Sequence, residues 1–302
     1  MEILIKYQNG NANIELYDDG TRIIQFEDEL KLDYPLNIDI RVSNACPFGF
    51  NPKTGKSVCG FCHESARTDG EECNYDELKH TLDELPKGIE LAIGCNKLTI
   101  ELYDFLLWAN EYGFICNLTI NQMSFNLGGD NNCLKPVFYL RMFDIIKGLG
   151  ISYRKDKPMN IPETIINDPN TVLHVIAGID DVDDIIATPF KKVLVLGYKK
   201  FGFGKDYHSE EIDKNIQEWY WWVKKLIDAK DVVSFDNLAL EQLHIKRFFT
   251  REKWEEFDQG EHSMYINAVD KYFAPSSRSD DITSWNNILI KEYFNYIENE
   301  TL

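Results

Sequence analysis

A chain of 302 residues, 44% apolar and 13% aromatic, carries enough apolar material to bury a continuous core in one large α/β domain or two small ones. Its 50 acids against 32 bases, a net charge of −18, oppose the many Lys and Arg contacts that an extended phosphate backbone requires, which argues against DNA or long RNA as a partner. No apolar run approaches the ~18 residues of a membrane span and MEILIKYQNG turns polar too early for a signal peptide, so the expected location is the cytoplasm, where seven cysteines do not read as a disulfide framework.

Residues 1–30 predict a β-hairpin: ANIELY and RIIQFE alternate around Asp18-Asp19-Gly20, whose Asp-Gly pair favours a tight turn. LNIDIRV then reads as a buried strand that runs into a polar, cysteine-bearing loop. Asn74 followed by Glu77 caps the helix DELKHTLDEL, Pro86-Lys87-Gly88 ends it, and IELAIG is the next strand. LTIELYDFLLWANEYG predicts a helix with Leu102, Phe105, Leu106 and Ala109 on its apolar face, followed by the strand FICNLTIN.

LKPVFYLRMFDIIKGLG predicts a helix with a glycine stop, ISYRK and TVLHVIAG strands, DDVDDIIA a short helix, and KKVLVLGY a strand. IDKNIQEWYWWVKKLIDA is a long helix in which Trp219 and Tyr220 face inward while Trp221 and Trp222 point elsewhere, and DVVSFDNLAL is a last strand. Strands alternating with helices imply parallel βαβ units, and so many in a row favour an α/β fold of the partial (β/α)6 TIM-like barrel type over a sandwich. The expected organisation is an N-terminal hairpin (1–30), a partial barrel (31–241) and a helical C-terminal extension (242–302) that covers the barrel mouth. Gly197 to Gly202 has phosphate-loop spacing, but Phe203 stands where lysine is required.

Cys46, Cys59 and Cys62 share the loop after the first core strand, on the barrel face where active sites gather. Three thiolates hold three irons of a four-iron cluster and leave the fourth open for chemistry. The same three with His63 or Cys73 also make a normal zinc set, which keeps a zinc-stapled binding protein as an alternative. Cys73, Cys95, Cys116 and Cys133 lack ligand spacing and read as ordinary thiols.

A strand followed by a loop ending in Cys-x-aromatic-Cys, here Cys59-Gly60-Phe61-Cys62, resembles the radical S-adenosylmethionine superfamily, and the whole chain looks like its small phage-like or bacterial members. The usual spacing between the first two cysteines is three residues. Here it is twelve, and the insert PFGFNPKTGKSV has the composition of a surface excursion. The resemblance implies a 4Fe-4S cluster on Cys46, Cys59 and Cys62, S-adenosylmethionine (SAM) as cofactor and an external one-electron reductant. It also implies a 5′-deoxyadenosyl radical that takes hydrogen from a small-molecule, nucleotide or peptide substrate. Gly94, Cys95 and Asn96 match the turn that meets the cofactor's methionine part, with Cys95 in place of a glycine, and Val175, Ile176, Ala177 and Gly178 match the strand that holds adenine. A member that binds the cofactors without turnover and acts with a partner stays open beside these readings.

Further along the strands, Asn117, Thr119 and Asn121 share one face and need partners that a ribose, a carboxylate or a substrate would supply. Ser152 and Arg154 alternate in the same way, the arginine suiting a carboxylate. Asp236 and Asn237 at the end of the last strand are the expected substrate contacts. No second set of clustered cysteines follows, which argues against an auxiliary cluster.

Overall fold

The computed structural model describes residues 2–95, 97–129, 132–255 and 262–301. The N-terminal segment forms three strands and not two: β1 (Ile3–Asn9), β2 (Ala12–Tyr17) and β3 (Arg22–Gln25) make an antiparallel meander of their own. The hairpin expectation missed β1 because ILIKYQN alternates only weakly, and its pairing with β2 supplies the order. This small sheet packs at the start of the main sheet's strands, through the ion pair of Arg22 with Glu90 and a hydrogen bond from Asn170 Nδ2 to the Asp18 carbonyl, 3.0 Å.

The βα series follows. Strand β4 (Asn37–Arg41) leads to the cysteine loop with its strand β5 (Ala45–Phe50) and to α1 (Tyr75–Leu82). Asn74 caps α1 as expected, its Oδ1 accepting from the Asp76 and Glu77 amides at 3.1 and 3.3 Å. Then come β6 (Glu90–Cys95), α2 (Ile100–Tyr112) with all four expected apolar residues buried, and β7 (Ile115–Asn121). After α3 (Leu134–Met142), strand β8 is Gly148–Ser152, so the glycines expected to stop a helix lie inside a strand. They are there because neighbours lean over them: a Cβ on Gly150 would stand 2.6 Å from His174 Nε2 and 2.7 Å from Thr119 Oγ1.

The chain continues with α4 (Glu163–Ile166), β9 (Thr171–Ile176), α5 (Val182–Ala187), β10 (Lys192–Leu196), α6 (Phe203–Tyr207) and α7 (Glu210–Ala229). On α7, Trp219 is buried and Trp221 and Trp222 are exposed, as the helical spacing predicts. The last expected strand is shorter than read: β11 is Val232–Phe235, and Asp236 turns the chain into α8 (Asn237–Gln242) by capping it.

Beyond Gln242 the chain is not the helical cover that its polarity suggested. After α9 (Arg251–Glu255), strands β12 (Ser263–Asn267), β13 (Tyr272–Ala274) and β14 (Thr283–Ser284) precede α10 (Ile290–Thr301). Strand β12 pairs in parallel with β4, so part of this segment belongs to the main sheet. The apolar run MYI buries against the edge that β4 would otherwise leave open.

The main sheet has the order β11-β10-β9-β8-β7-β6-β4-β12-β13-β14, and its eight parallel strands, β11 through β12, are the seven read from the sequence plus β12, two more than the six of a (β/α)6 barrel. From β4 to β11 neighbours follow chain order, and crossovers of one hand then put every helix on one face. That face holds the core, with Ile38, Ile93, Leu118, Ile151, Leu173 and Val195 each at most 2% exposed. The opposite face is polar and carries Asp39, Arg41, Asn117, Thr119, Ser152 and His174 in shared registers. Among the described strands β11 and β14 remain the two edges of the sheet.

Candidate functional site

The cysteine loop leaves β4 at the carboxyl edge of the sheet and folds back as a hairpin. Asn51 and Lys56 bridge its tip, and the Val58 and Cys59 amides both donate to the Phe48 carbonyl at 3.0 and 3.4 Å. The twelve-residue insert is thus an ordered β-excursion that returns Cys59 next to Cys46. With Phe48, Ala66, Met123 and Leu127, the thiols of Cys46, Cys59 and Cys62 form one small apolar cluster separate from the main core.

Burial raises all three thiols, Cys46 to about 12, and Cys46 also feels the developing charges of Cys59 and Cys62, and Cys59 that of Cys62. Backbone amides oppose that: those of Phe48 and Gly49 aim at the Cys46 sulfur, and those of Glu64 and Ala66 at Cys62. Such N–H···S contacts tune iron–sulfur centres. Arg154 adds a fixed positive charge, with Nη1 3.5 Å from Cys59 Sγ and its guanidinium 5.0 Å from the centre of the Phe61 ring.

Among the described residues no three His, Cys, Asp or Glu side chains converge on a point where one metal ion could sit. A tetrahedral zinc would need its thiolates about 3.8 Å apart, whereas a cube gives each thiolate its own iron and so a larger body to surround. Neither proposed fourth zinc ligand turns to the thiols: His63 Nε2 lies 3.0 Å from Glu64 and 3.4 Å from Lys199, and Cys73 belongs to the main core. The donor set of three sulfurs in one amide-lined nest fits a cluster with one unligated iron.

The neighbouring loops are built to meet this one. Gly202 has φ +51°, and a Cβ there would stand 2.3 Å from the His63 carbonyl, while Phe203 N donates to the Cys62 carbonyl at 3.1 Å. Of the glycines that mimicked a phosphate loop, Gly202 therefore serves close packing against the cysteine loop and Gly197 close packing against the start of α8. Arg41 pairs with Glu64 at 3.0 Å, and Lys199 reaches Ser277 at 3.3 Å, which brings the segment after β13 over this edge. Against the penalty of burial, the hydrogen bond from His63 together with the charges of His63, Arg41 and Lys199 holds the Glu64 carboxyl down at about 2, and desolvation pushes Asp39 up. Asp39 is exposed on the polar face of the sheet.

The other expected cofactor residues divide by face. Gly94 lies on the concave face in ordinary strand conformation, and a Cβ there would meet nothing within 4 Å. Cys95 points the other way into the core, and Asn96 lies outside the described residues. Thr119 and Ser152 share the polar face of the sheet, Asn117 leans on Glu90 at 3.4 Å, and Asn121 accepts from the Met123 amide at 2.9 Å, which sets Met123 against the thiols. Arg154 lies past β8, held there by the buried Gln122, whose Oε1 accepts from the Arg154 amide at 3.1 Å.

Val175 and Ala177 are fully buried and contribute packing, so of the expected adenine strand Ile176 alone presents a side chain to the concave face. Gly178, at φ +88°, lies against Ile216 of α7 and its carbonyl is taken by Asn215. Asp236 Oδ1 accepts from the Gly197 and Ala239 amides at 2.9 and 2.7 Å, a capping role, and Asn237 begins α8. Sequence reasoning missed Asp39, Arg41, Glu64 and Lys199, charges brought together from separate strands with no local signal. It also missed that Arg154 reaches a cysteine.

Neither a protein-family model nor a curated protein sequence matches the chain. In fold it is similar to SuiB. The crystal structure of Streptococcus suis SuiB bound to precursor peptide SuiA aligns with a TM-score of 0.58 over 89% of this chain and 67% of SuiB, at 13% identity. At that identity the likeness is one of architecture, a mixed α/β fold around a large, mostly parallel sheet.

Proposed function

We propose that this protein is a radical SAM enzyme, with Cys46, Cys59 and Cys62 holding a 4Fe-4S cluster. The observation that carries the reading is the gathering of these three thiols, with their amide contacts and Arg154, at the carboxyl edge of a parallel sheet beside its polar face. A cluster held there and reduced by one electron from an external donor would supply the electron that splits SAM into methionine and a 5′-deoxyadenosyl radical able to remove hydrogen from the substrate. The chain's own residues bind and enclose. Gly94 leaves room for the cofactor's methionine part, Ile176 offers an apolar surface to adenine, and Arg154 offsets thiolate charge.

A peptide is the favoured substrate among the small-molecule, nucleotide and peptide classes. SuiB, similar in fold, is bound to a precursor peptide, and a net charge of −18 favours a cationic ligand. Anaerobic reconstitution should give about four irons and four sulfides per chain, and 5′-deoxyadenosine should form from SAM and dithionite. Cys59→Ser should lose both. About one zinc with no sulfide would sink the reading in favour of a closed structural site.

A further inference from the structure

The chain's charge leaves one question open: how an electron carrier finds the cluster. Small one-electron donor proteins are themselves acidic, and a surface of net charge −18 repels them over most of its area. The cysteine loop is the exception. No Asp or Glu stands between Asp39 and Glu64, although 50 of 302 residues are acidic, and the charges of the excursion itself are Lys53 and Lys56.

Both lysines are exposed at the hairpin tip, and among the described residues neither makes an ion pair. The adjoining segment adds Arg67, which pairs with Asp69 at 2.9 Å and lies 5.8 Å over the Phe50 ring, and Asp69 extends its field to Lys53. Beside the tip, Val58 is 45% exposed, and it is the residue immediately before Cys59. An apolar contact rimmed by cations, one residue from a cluster thiol, has the size and character of the small interfaces that electron-transfer partners use.

We infer that the hairpin 46–59 is the docking site of an acidic one-electron carrier of the flavodoxin type, with Lys53 and Lys56 steering it and Val58 touching it. The inference rests on the radical SAM reading. In the step it serves, the carrier's reduced flavin loses one electron and the cluster gains it, with no bond made or broken at the interface.

The test compares the reconstituted parent with Lys53→Glu/Lys56→Glu and with the control Lys6→Glu/Lys31→Glu, an equal charge change in and beside the small N-terminal sheet. Affinity for an oxidised bacterial flavodoxin, read by titration calorimetry at low salt, needs no turnover. The hairpin variant should bind at least ten-fold more weakly and with little salt dependence, and the control should bind like the parent. Equal affinity in all three, or equal loss in both variants, overturns the inference. Dithionite-driven 5′-deoxyadenosine formation is read separately and should not differ among them. Its absence in the parent overturns the radical reading and leaves the binding comparison to decide the surface.

Discussion

Gly94 separates two reasons for a glycine. Its backbone is ordinary strand and its missing Cβ would meet open space, so neither conformation nor packing in the protein requires it. Gly94→Val should therefore leave stability within about 1 kcal/mol of the parent, since valine suits a strand, while weakening SAM binding at least ten-fold by calorimetry. A large loss of stability would mean that the space beside Gly94 is filled by protein. Asp180 and His174 offer a second residue-level test. Burial pushes Asp180 up from 3.8 to about 7, although the Ile176 amide donates to it at 2.7 Å, and lowers His174 from 6.5 to about 4. Between pH 4 and 7 the folded chain holds an extra proton on Asp180, so stability falls as pH rises. Between pH 4 and 6.5 the unfolded chain holds an extra proton on His174, so stability rises with pH. The two slopes oppose each other. Asp180→Asn keeps the acceptor and should expose the rising limb, with a gain of up to about 4 kcal/mol at pH 8 that vanishes at pH 4, measured by urea unfolding.

At the scale of elements, Arg141 joins the end of α3 to the start of β8. It gives Asp168 three charge-assisted contacts, at 2.7, 2.8 and 3.1 Å, and the carbonyls of Ile146 and Lys147 two more, at 2.6 and 2.7 Å. Arg141→Met should cost about 3 kcal/mol in denaturant unfolding, because it leaves a half-buried carboxylate unpaired. Elements of this kind were legible where the signal is local. The Asn74 cap, the apolar face of α2 and the β-branched strands read directly from sequence, and so did the thiol loop. What escaped was whatever depends on a distant partner. The five residues of β12 have no periodicity to announce a strand that pairs with β4, and the glycines of β8 imitate a helix stop because the groups that lean over them come from β7 and β9. Lys199 meets His63 across 136 positions, so the charged part of the site was invisible, whereas the cysteines were found by spacing alone.

For the whole molecule, the pairing of β12 with β4 makes the C-terminal segment integral. A chain ending at residue 262 should be insoluble on expression, because it bares the edge of the strand from which the cysteine loop springs; soluble, monomeric truncated protein would show that the segment is dispensable. The same pairing sets a schedule on the ribosome. The register joins Asn37 to Ser263, and at 5–20 residues per second the ~230 residues between them take on the order of 10–50 seconds to emerge. Throughout that interval the strand that presents Cys46 has one edge unpaired. If the proposed cluster forms, its assembly follows the arrival of β12, and a slow codon ahead of that strand would lengthen the period in which the thiols are open to oxidation.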